Sequence, residues 1–323
     1  MLSIAQVQST AQRIQDNIAR VIVGKSEAIE LLIVALLTQG HALLEDVPGL
    51  GKTMLAKSLA RSLGCSFKRL QFTPDLLPSD ITGVNVFNQK SGEFEFRPGP
   101  ILTQIVLADE VNRAGPRTQS ALLEAMDEGQ VTVDGVTRPL PRPFLVLATQ
   151  NPVELEGTFP LPEAQLDRFL LRIAIGYPEA DEERQILRRF RDADPLSELA
   201  PVASGEEILA LGKACRSIHV SDAVETYIVN LARATRDDAS ITLGASPRAS
   251  LALYRTSQAL AAIRGRSFVT PDDVQTMIAP ALAHRLIPSS QSRLRGKATA
   301  DILNDVIARV PVPMEESWSE TTG

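Results

Sequence analysis

The stretch His41-Ala42-Leu43-Leu44-Glu45-Asp46-Val47-Pro48-Gly49-Leu50-Gly51-Lys52-Thr53 decides the fold. His41 to Leu44 is apolar and reads as a buried parallel strand, and Met54 to Leu63 reads as a helix. A Gly-Lys-Thr tripeptide carries weight only in such a strand–loop–helix setting, where it reads as a phosphate-binding loop. The loop's N–H groups and the helix N-terminus aim at anionic oxygens. Gly49 and Gly51 supply backbone angles and a close approach that a Cβ would block. Lys52 is placed to reach the outer phosphates of a nucleotide, and Thr53 to put its hydroxyl on Mg²⁺. Asp46 stands where the usual pattern starts with glycine, so the loop entry is expected to be shaped differently. The competing reading, a surface turn with a chance Gly-Lys-Thr, does not account for the flanking strand and helix.

A second apolar run, Ile105-Val106-Leu107-Ala108, ends in Asp109-Glu110. An Asp at the C-terminal end of a parallel strand sits where ligands bind in open α/β sheets, and there it can hold Mg²⁺. Glu110 beside it suits a general base that aligns or deprotonates water. The bland alternative is an acidic pair that caps the next element. Together the two motifs point to nucleoside triphosphate hydrolysis.

Composition bounds the rest. The 323 residues suffice for two domains, and 44% hydrophobic with 22% charged residues is ordinary for a globular protein. Aromatics are sparse at 4%, so no stacking platform for single-stranded nucleic acid is advertised. With 33 basic and 39 acidic residues the net charge is −6, which weighs against sequence-independent nucleic-acid binding. Cys65 and Cys215 have no Cys-x-x-Cys partner and read as free thiols of a reducing compartment. His41, His219 and His284 show no ligand spacing, which argues against a bound transition metal. The N-terminus shows no signal peptide, and Ile29 to Leu37 is too short to span a bilayer, so a cytoplasmic location is expected.

Along the chain, Ile4, Val7, Ala11, Ile14, Ile18 and Val21 recur at helical spacing, and Ser26 can cap a second helix. Strands near 41–45, 66–71, 104–109, 143–149 and 169–175 alternate with helices, which implies a parallel sheet covered on both faces. Two β-hairpins interrupt it. One lies within residues 72–100, and the other is Gln130-Val131-Thr132-Val133, turning at Asp134-Gly135 into Val136-Thr137. Gly176-Tyr177-Pro178 marks a boundary, beyond which the chain reads as helical: 179–191, 205–217, 221–235, 247–264, 271–283 and 299–309. Thr270-Pro271-Asp272-Asp273 is a helix start. The expected domains are an α/β nucleotide-binding domain, 1–178, and a helical domain, 179–323.

Three further positions follow from this frame. Asn151, at the end of the fourth sheet strand, can orient water or sense the outer phosphate, against the alternative of a turn before Pro152. Arg168 can stabilise transition-state charge on a neighbouring subunit, against a local ion pair with Asp167 or Glu163. Arg248, opening a helix after Gly244-Ala245-Ser246-Pro247, can read nucleotide state, against simple helix-end solvation.

With these residues in order, the chain resembles the AAA+ ATPases, and among them the MoxR family of the helix-2-insert clade. The resemblance runs from about Val23 to the end. It rests on Glu45 to Thr53, Leu107 to Ala114, Thr118 to Met126, Ala148 to Pro152, Leu161 to Phe169 and Gly244 to Ala249. Asp46 is common in that family, and Val111 replaces a commoner isoleucine.

The resemblance implies a parallel-sheet P-loop AAA+ core with two inserted hairpins and an all-α lid. It makes Asn151 sensor 1, Arg168 the arginine finger and Arg248 sensor 2. The nucleotide set is then Val23, Gly24, Pro48, Gly49, Leu50, Gly51, Lys52, Thr53, Met54 and Asp109, with Thr53 and Asp109 toward Mg²⁺. Glu110, Asn151, Arg168, Arg248 and Lys52 carry the hydrolysis of ATP.

It further implies a hexameric ring that works with a von Willebrand factor A domain protein in trans. The ring would remodel or mature a protein client, sometimes by helping metal insertion. Three other functions stay open at this point. One is the ATPase subunit of a metal chelatase. Another is a nucleic-acid motor using Lys90, Arg138 and Arg142 near the hairpins, although no nucleic acid is expected. The last is a nucleotide-switched scaffold.

Overall fold

The computed structural model describes residues 3–150, 158–191 and 194–314. The chain divides into two compact units, Met1–Arg216 and Ser217–Gly323.

The first unit opens with α1 (Ile4–Ala19), started by a reciprocal cap in which Ser3 and Gln6 bond each other's backbone N–H. Its Val7, Ala11, Ile14 and Ile18 are buried, as the spacing predicts. Helix α2 (Ser26–Leu37) is apolar nearly all round and lies in the core. Then come β1 (Ala42–Glu45), α3 (Lys52–Ser62), β2 (Phe67–Gln71) and α4 (Pro78–Thr82). The first hairpin is β3 (Gly83–Asn88) with β4 (Glu93–Pro98). Strand β5 (Ile105–Asp109) leads through a 3₁₀ turn, Val111–Arg113, into α5 (Pro116–Glu128). The second hairpin, β6 (Gln130–Val133) with β7 (Val136–Pro139), precedes β8 (Leu145–Gln150). After α6 (Glu163–Leu166) and β9 (Leu171–Ile173), α7 (Ala180–Arg189) and α8 (Gly205–Cys215) close the unit.

Five strands form one parallel sheet in the order β2–β5–β8–β1–β9. Ile105, Val106, Leu107 and Ala108 are all fully buried, as are Leu145 to Ala148 to within 1% exposure. A strand whose successive residues are all inside is covered on both faces, which is why these runs are apolar rather than alternating. Leu43, Val106, Ala108, Val146 and Ala148 share one face with Leu122, Leu123 and Met126 of α5. Truncating a leucine such as Leu123 to alanine is expected to cost about 2–5 kcal/mol through lost burial and a residual cavity.

The hairpins pair in register, Phe87 opposite Phe94 and Val133 opposite Val136. Asp134 and Gly135 both have positive φ (+51° and +77°), the type I′ geometry that the Asp-Gly pair predicts. The two hairpins are fastened together. Asn85 donates to Asp134 Oδ2 at 2.7 Å, and the Arg138 guanidinium lies 3.8 Å over the Phe96 ring. Arg142 donates to Gln39 Oε1 at 3.2 Å. Phe87 and Phe94 lie on the same hairpin face as Asn85 and Phe96. They stack edge-on, 5.3 Å apart, and stay exposed.

The division between units differs from the expected break at residue 178. Helix α8 packs on α1 and α2, where a Cβ on Gly212 would sit 2.5 Å from the Leu37 carbonyl oxygen. Helix α7 is tied to the end of α1 by Arg189 donating to the Ala19 carbonyl at 2.6 Å and to the segment after it by the Lys25–Glu182 ion pair at 3.3 Å. Both helices therefore belong to the first unit.

The second unit contains α9 (Asp222–Asp237), β10 (Ile241–Leu243), α10 (Pro247–Ile263), α11 (Pro271–Leu282), β11 (Ile287–Pro288), α12 (Ser290–Leu294) and α13 (Thr299–Ile307). Its described residues are mainly helical, with a short antiparallel pair β10–β11 and a single bridge between His219 and Phe268, which periodicity does not reveal because so few residues pair. Among the described residues no helix is long and apolar enough to cross a membrane.

Candidate nucleotide site

The loop after β1, the start of α3, Arg69 of β2 and the C-terminal ends of β5 and β8 line a cleft of about 240 Å³. Pro48, Gly49, Gly51, Lys52, Thr53, Met54, Arg69, Asp109, Glu110 and Thr149 form its walls. Gly49 and Gly51 have φ of +87° and +86°, and a Cβ at either would meet nothing within 4 Å. Glycine is needed there for backbone angle, and the space beside the loop is open to a ligand. Gly51 caps α3, so the helix's first N–H groups face the cleft.

Lys52 Nζ donates to the Asp46 carbonyl oxygen at 2.5 Å, arching back over the loop. Burial pulls the Lys52 ammonium below its ordinary pKa, while Asp46, Asp109, Glu110 and Glu45 oppose the shift. A phosphate group beside it would favour the charged form further. The Asp46 side chain turns the other way. Its Oδ2 accepts the N–H of Gly176 at 3.2 Å and that of Ile175, fastening the loop entry to the chain leaving β9. One residue earlier, Glu45 pairs with Arg172 of β9 at 2.8 Å.

The two acids at the end of β5 are held by a shared neighbour. Thr149 Oγ1 donates to Asp109 Oδ1 at 2.6 Å and accepts the Glu110 N–H at 2.8 Å. Glu110 sits in the left-handed region (φ +58°), a conformation costing about 1–3 kcal/mol for a non-glycine residue. Its Oε2 accepts from Gln71 at 2.8 Å and from Arg113 at 3.2 Å. A carboxylate steadied through one oxygen can take a proton from water through the other. Thr53 and Asp109 offer a hydroxyl and a carboxylate to the same cleft, the hard oxygen donors that suit Mg²⁺. When bound, that ion would neutralise phosphate charge.

Of the residues expected to bind nucleotide, Val23, Gly24 and Leu50 do not line the cleft. Val23 is buried, and Gly24 (φ +71°) backs onto the Glu182 side chain. Arg168 is also away from it. Its Nε pairs with Asp127 Oδ2 at 3.1 Å, on α5, rather than with Asp167 or Glu163. Arg248 lies exposed in the first turn of α10, in the second unit. Asn151 lies outside the described residues.

Sequence reasoning passed over Arg69, Gln71, Arg113 and Thr149 as site residues. Arg69 and Gln71 share one face of the edge strand β2, and Gln71 stands level with Asp109. Polar residues alternating into the C-terminal end of a strand beside an Asp-Glu pair were the available signal.

This sheet order, loop and pair of acids define a P-loop ATPase core of the AAA+ class. Residues 41–171 match the family model described as ATPase family associated with various cellular activities, and residues 233–306 match the AAA lid domain. The chain belongs to the MoxR family of AAA+ ATPases and is an ATP hydrolase. It is 49% identical to the protein YeaC of Bacillus subtilis over 94% of each chain. To Chaperone MoxR1 of Mycobacterium tuberculosis it is 41% identical, over 94% of this chain and 82% of that one. A crystal structure of a candidate ATPase from Cytophaga hutchinsonii superposes with a TM-score of 0.90 at 38% identity, over 96% and 97% of the two chains.

Proposed function

We propose that this chain couples Mg-ATP hydrolysis to the remodelling or maturation of a protein complex, working as a cytoplasmic ring with a von Willebrand factor A domain partner supplied in trans. The observation that carries the reading is the convergence of Lys52, Thr53, Asp109 and Glu110 on one cleft while Arg168 of the same chain lies elsewhere, ion-paired to Asp127. A finger arginine outside its own cleft fits a site completed by a neighbouring subunit. In this reading Lys52 and the loop N–H groups bind the phosphates, Thr53 and Asp109 hold the cation, and Glu110 accepts the proton of the attacking water. Asn151 and Arg248 register the outer phosphate. The fastened hairpins, with exposed Phe87 and Phe94, would meet the client. Chaperone activity in the similar MoxR1 supports the remodelling role. Metal insertion is one form that maturation could take.

A nucleic-acid motor is less well supported. Arg138 is stacked on Phe96 and Arg142 is engaged by Gln39, so neither presents a free basic stripe.

Mixing two inactive variants tests the shared site. Lys52→Ala has a disabled cleft and an intact Arg168, whereas Arg168→Ala has the reverse. In a ring, mixed interfaces regain one complete site, so ATP turnover should appear on mixing. Turnover absent from the mixture, with both variants folded and Arg168→Ala binding ATP, would contradict an in-trans finger.

A further inference from the structure

Three of the four acceptor positions of the Asp109 carboxylate are occupied. Oδ1 accepts the Thr149 hydroxyl, and Oδ2 accepts two N–H groups from Arg69, Nε at 2.9 Å and Nη2 at 2.7 Å. A carboxylate oxygen has two lone pairs, so Oδ2 has no acceptor site left for a cation while Arg69 is there. Arg69 itself sits on the edge strand of the sheet, its side chain 49% exposed, against 15% for Asp109. Besides Asp109, the Arg69 guanidinium bonds Gln71 Oε1 at 2.7 Å. A half-exposed arginine is rehydrated cheaply when it leaves its partner, so the Asp109 contact can be given up at small cost.

We propose that Arg69 is a resident counter-cation for Asp109, a positioning residue that holds this carboxylate until a divalent cation displaces it. The inference rests on Asp109 as the cation's ligand. Arg69 does two opposing things. With no divalent cation present it cancels the Asp109 charge, so that the polyphosphate of free ATP can approach the cleft. A divalent cation taking Oδ2 would have to displace the guanidinium, and one taking the remaining position on Oδ1 would face its charge across the carboxylate, so either way Arg69 raises the Mg²⁺ concentration needed for tight binding. Once displaced, it stays within the cleft wall, where its charge is available to an anionic group of the nucleotide.

The test compares the wild-type protein with Arg69→Met and Arg69→Lys, using a fluorescent ATP analogue, mant-ATP. Affinity is measured first in EDTA and then across a Mg²⁺ titration, with thermal denaturation confirming that each variant is folded. For Arg69→Met the Mg²⁺ midpoint should fall by about two- to fivefold, the size of effect one partly exposed ion pair can exert. In the same variant, affinity in EDTA should weaken. Arg69→Lys keeps a cation beside Asp109 and should move both readings back toward wild type. A purely structural role would shift both affinities in one direction, and that result overturns the proposal. A wild-type Mg²⁺ dependence reproduced unchanged in Arg69→Met overturns the proposal alone. Absence of any Mg²⁺ dependence in the wild type overturns the reading of Asp109 as ligand and the proposal with it.

Discussion

Thr149 Oγ1 lies 2.6 Å from Asp109 Oδ1 and accepts the backbone N–H of Glu110 at 2.8 Å, so a single hydroxyl orders both acids of the site. Removing it should release Asp109 and loosen the left-handed turn at Glu110. Groups that orient ligands of a metal typically contribute about 10- to 100-fold to affinity or activity. Thr149→Val should lower ATP turnover by that order while leaving nucleotide affinity in EDTA little changed. Thr149→Ser, which keeps the hydroxyl, should retain most of the turnover. Equal activity in the valine and serine variants would show that the hydroxyl is not what orders the pair.

Asp46 offers a second test, because restoring the glycine of the usual pattern should do harm. Its carboxylate accepts two backbone N–H groups from the chain leaving β9. Hydrogen bonds to a charged acceptor contribute about 1.5–3 kcal/mol, and two are lost together in Asp46→Gly. A lower melting temperature and weaker nucleotide binding are expected. A variant as stable as the wild type would mean that the contact is incidental.

The cysteines predict a pH dependence. Burial pushes the Cys215 thiol up to about 12 and the Cys65 thiol up to about 11. Neither should react appreciably with iodoacetamide at pH 7.5 in the folded protein, and both should react on unfolding. A thiol in an unfolded chain ionises at about 8.5. Above that pH the unfolded state binds fewer protons than the native one, so the contribution of Cys215 to stability is complete below pH 8.5 and is lost as pH rises toward 12. Rapid alkylation of native Cys215 at neutral pH would contradict its burial.

In the second unit, Asp273 is fully buried and paired with Arg266 at 2.5 Å through both oxygens, and it also caps α11 by accepting the Thr270 N–H at 2.9 Å. Asp273→Ala removes the cap and leaves a partly buried guanidinium unpaired. A loss of about 3 kcal/mol is expected by denaturant unfolding. A loss below 1 kcal/mol would show that solvent replaces the carboxylate.

Much of the architecture was legible because local rules and the fold agree. The inner strands β1, β5 and β8 are apolar runs up to their last residue since both faces are covered, and the second hairpin announces itself through Asp134-Gly135. Thr270 to Asp273 reads as a helix start and is one. What escaped depends on contacts distant in sequence. Nothing near Gly212 reveals that α8 packs on α2, so the unit boundary falls at Arg216 rather than at residue 178. The partner of Asp46 lies 129 positions away, at Ile175, and that of Arg168 is Asp127 on α5 rather than an acid beside it. Arg69 and Thr149 join the site only because parallel pairing sets β2 and β8 on either side of β5.

Steady-state ATP turnover of Glu110→Gln, measured beside its nucleotide affinity, tests the central claim most directly. The substitution keeps the size of the side chain and a carbonyl oxygen to accept from Gln71 and Arg113, and it removes the base. Turnover should fall at least about 100-fold, the usual contribution of a positioned base, while ATP affinity stays near the wild-type value. A variant that binds ATP and still turns it over at more than a tenth of the wild-type rate would contradict the account.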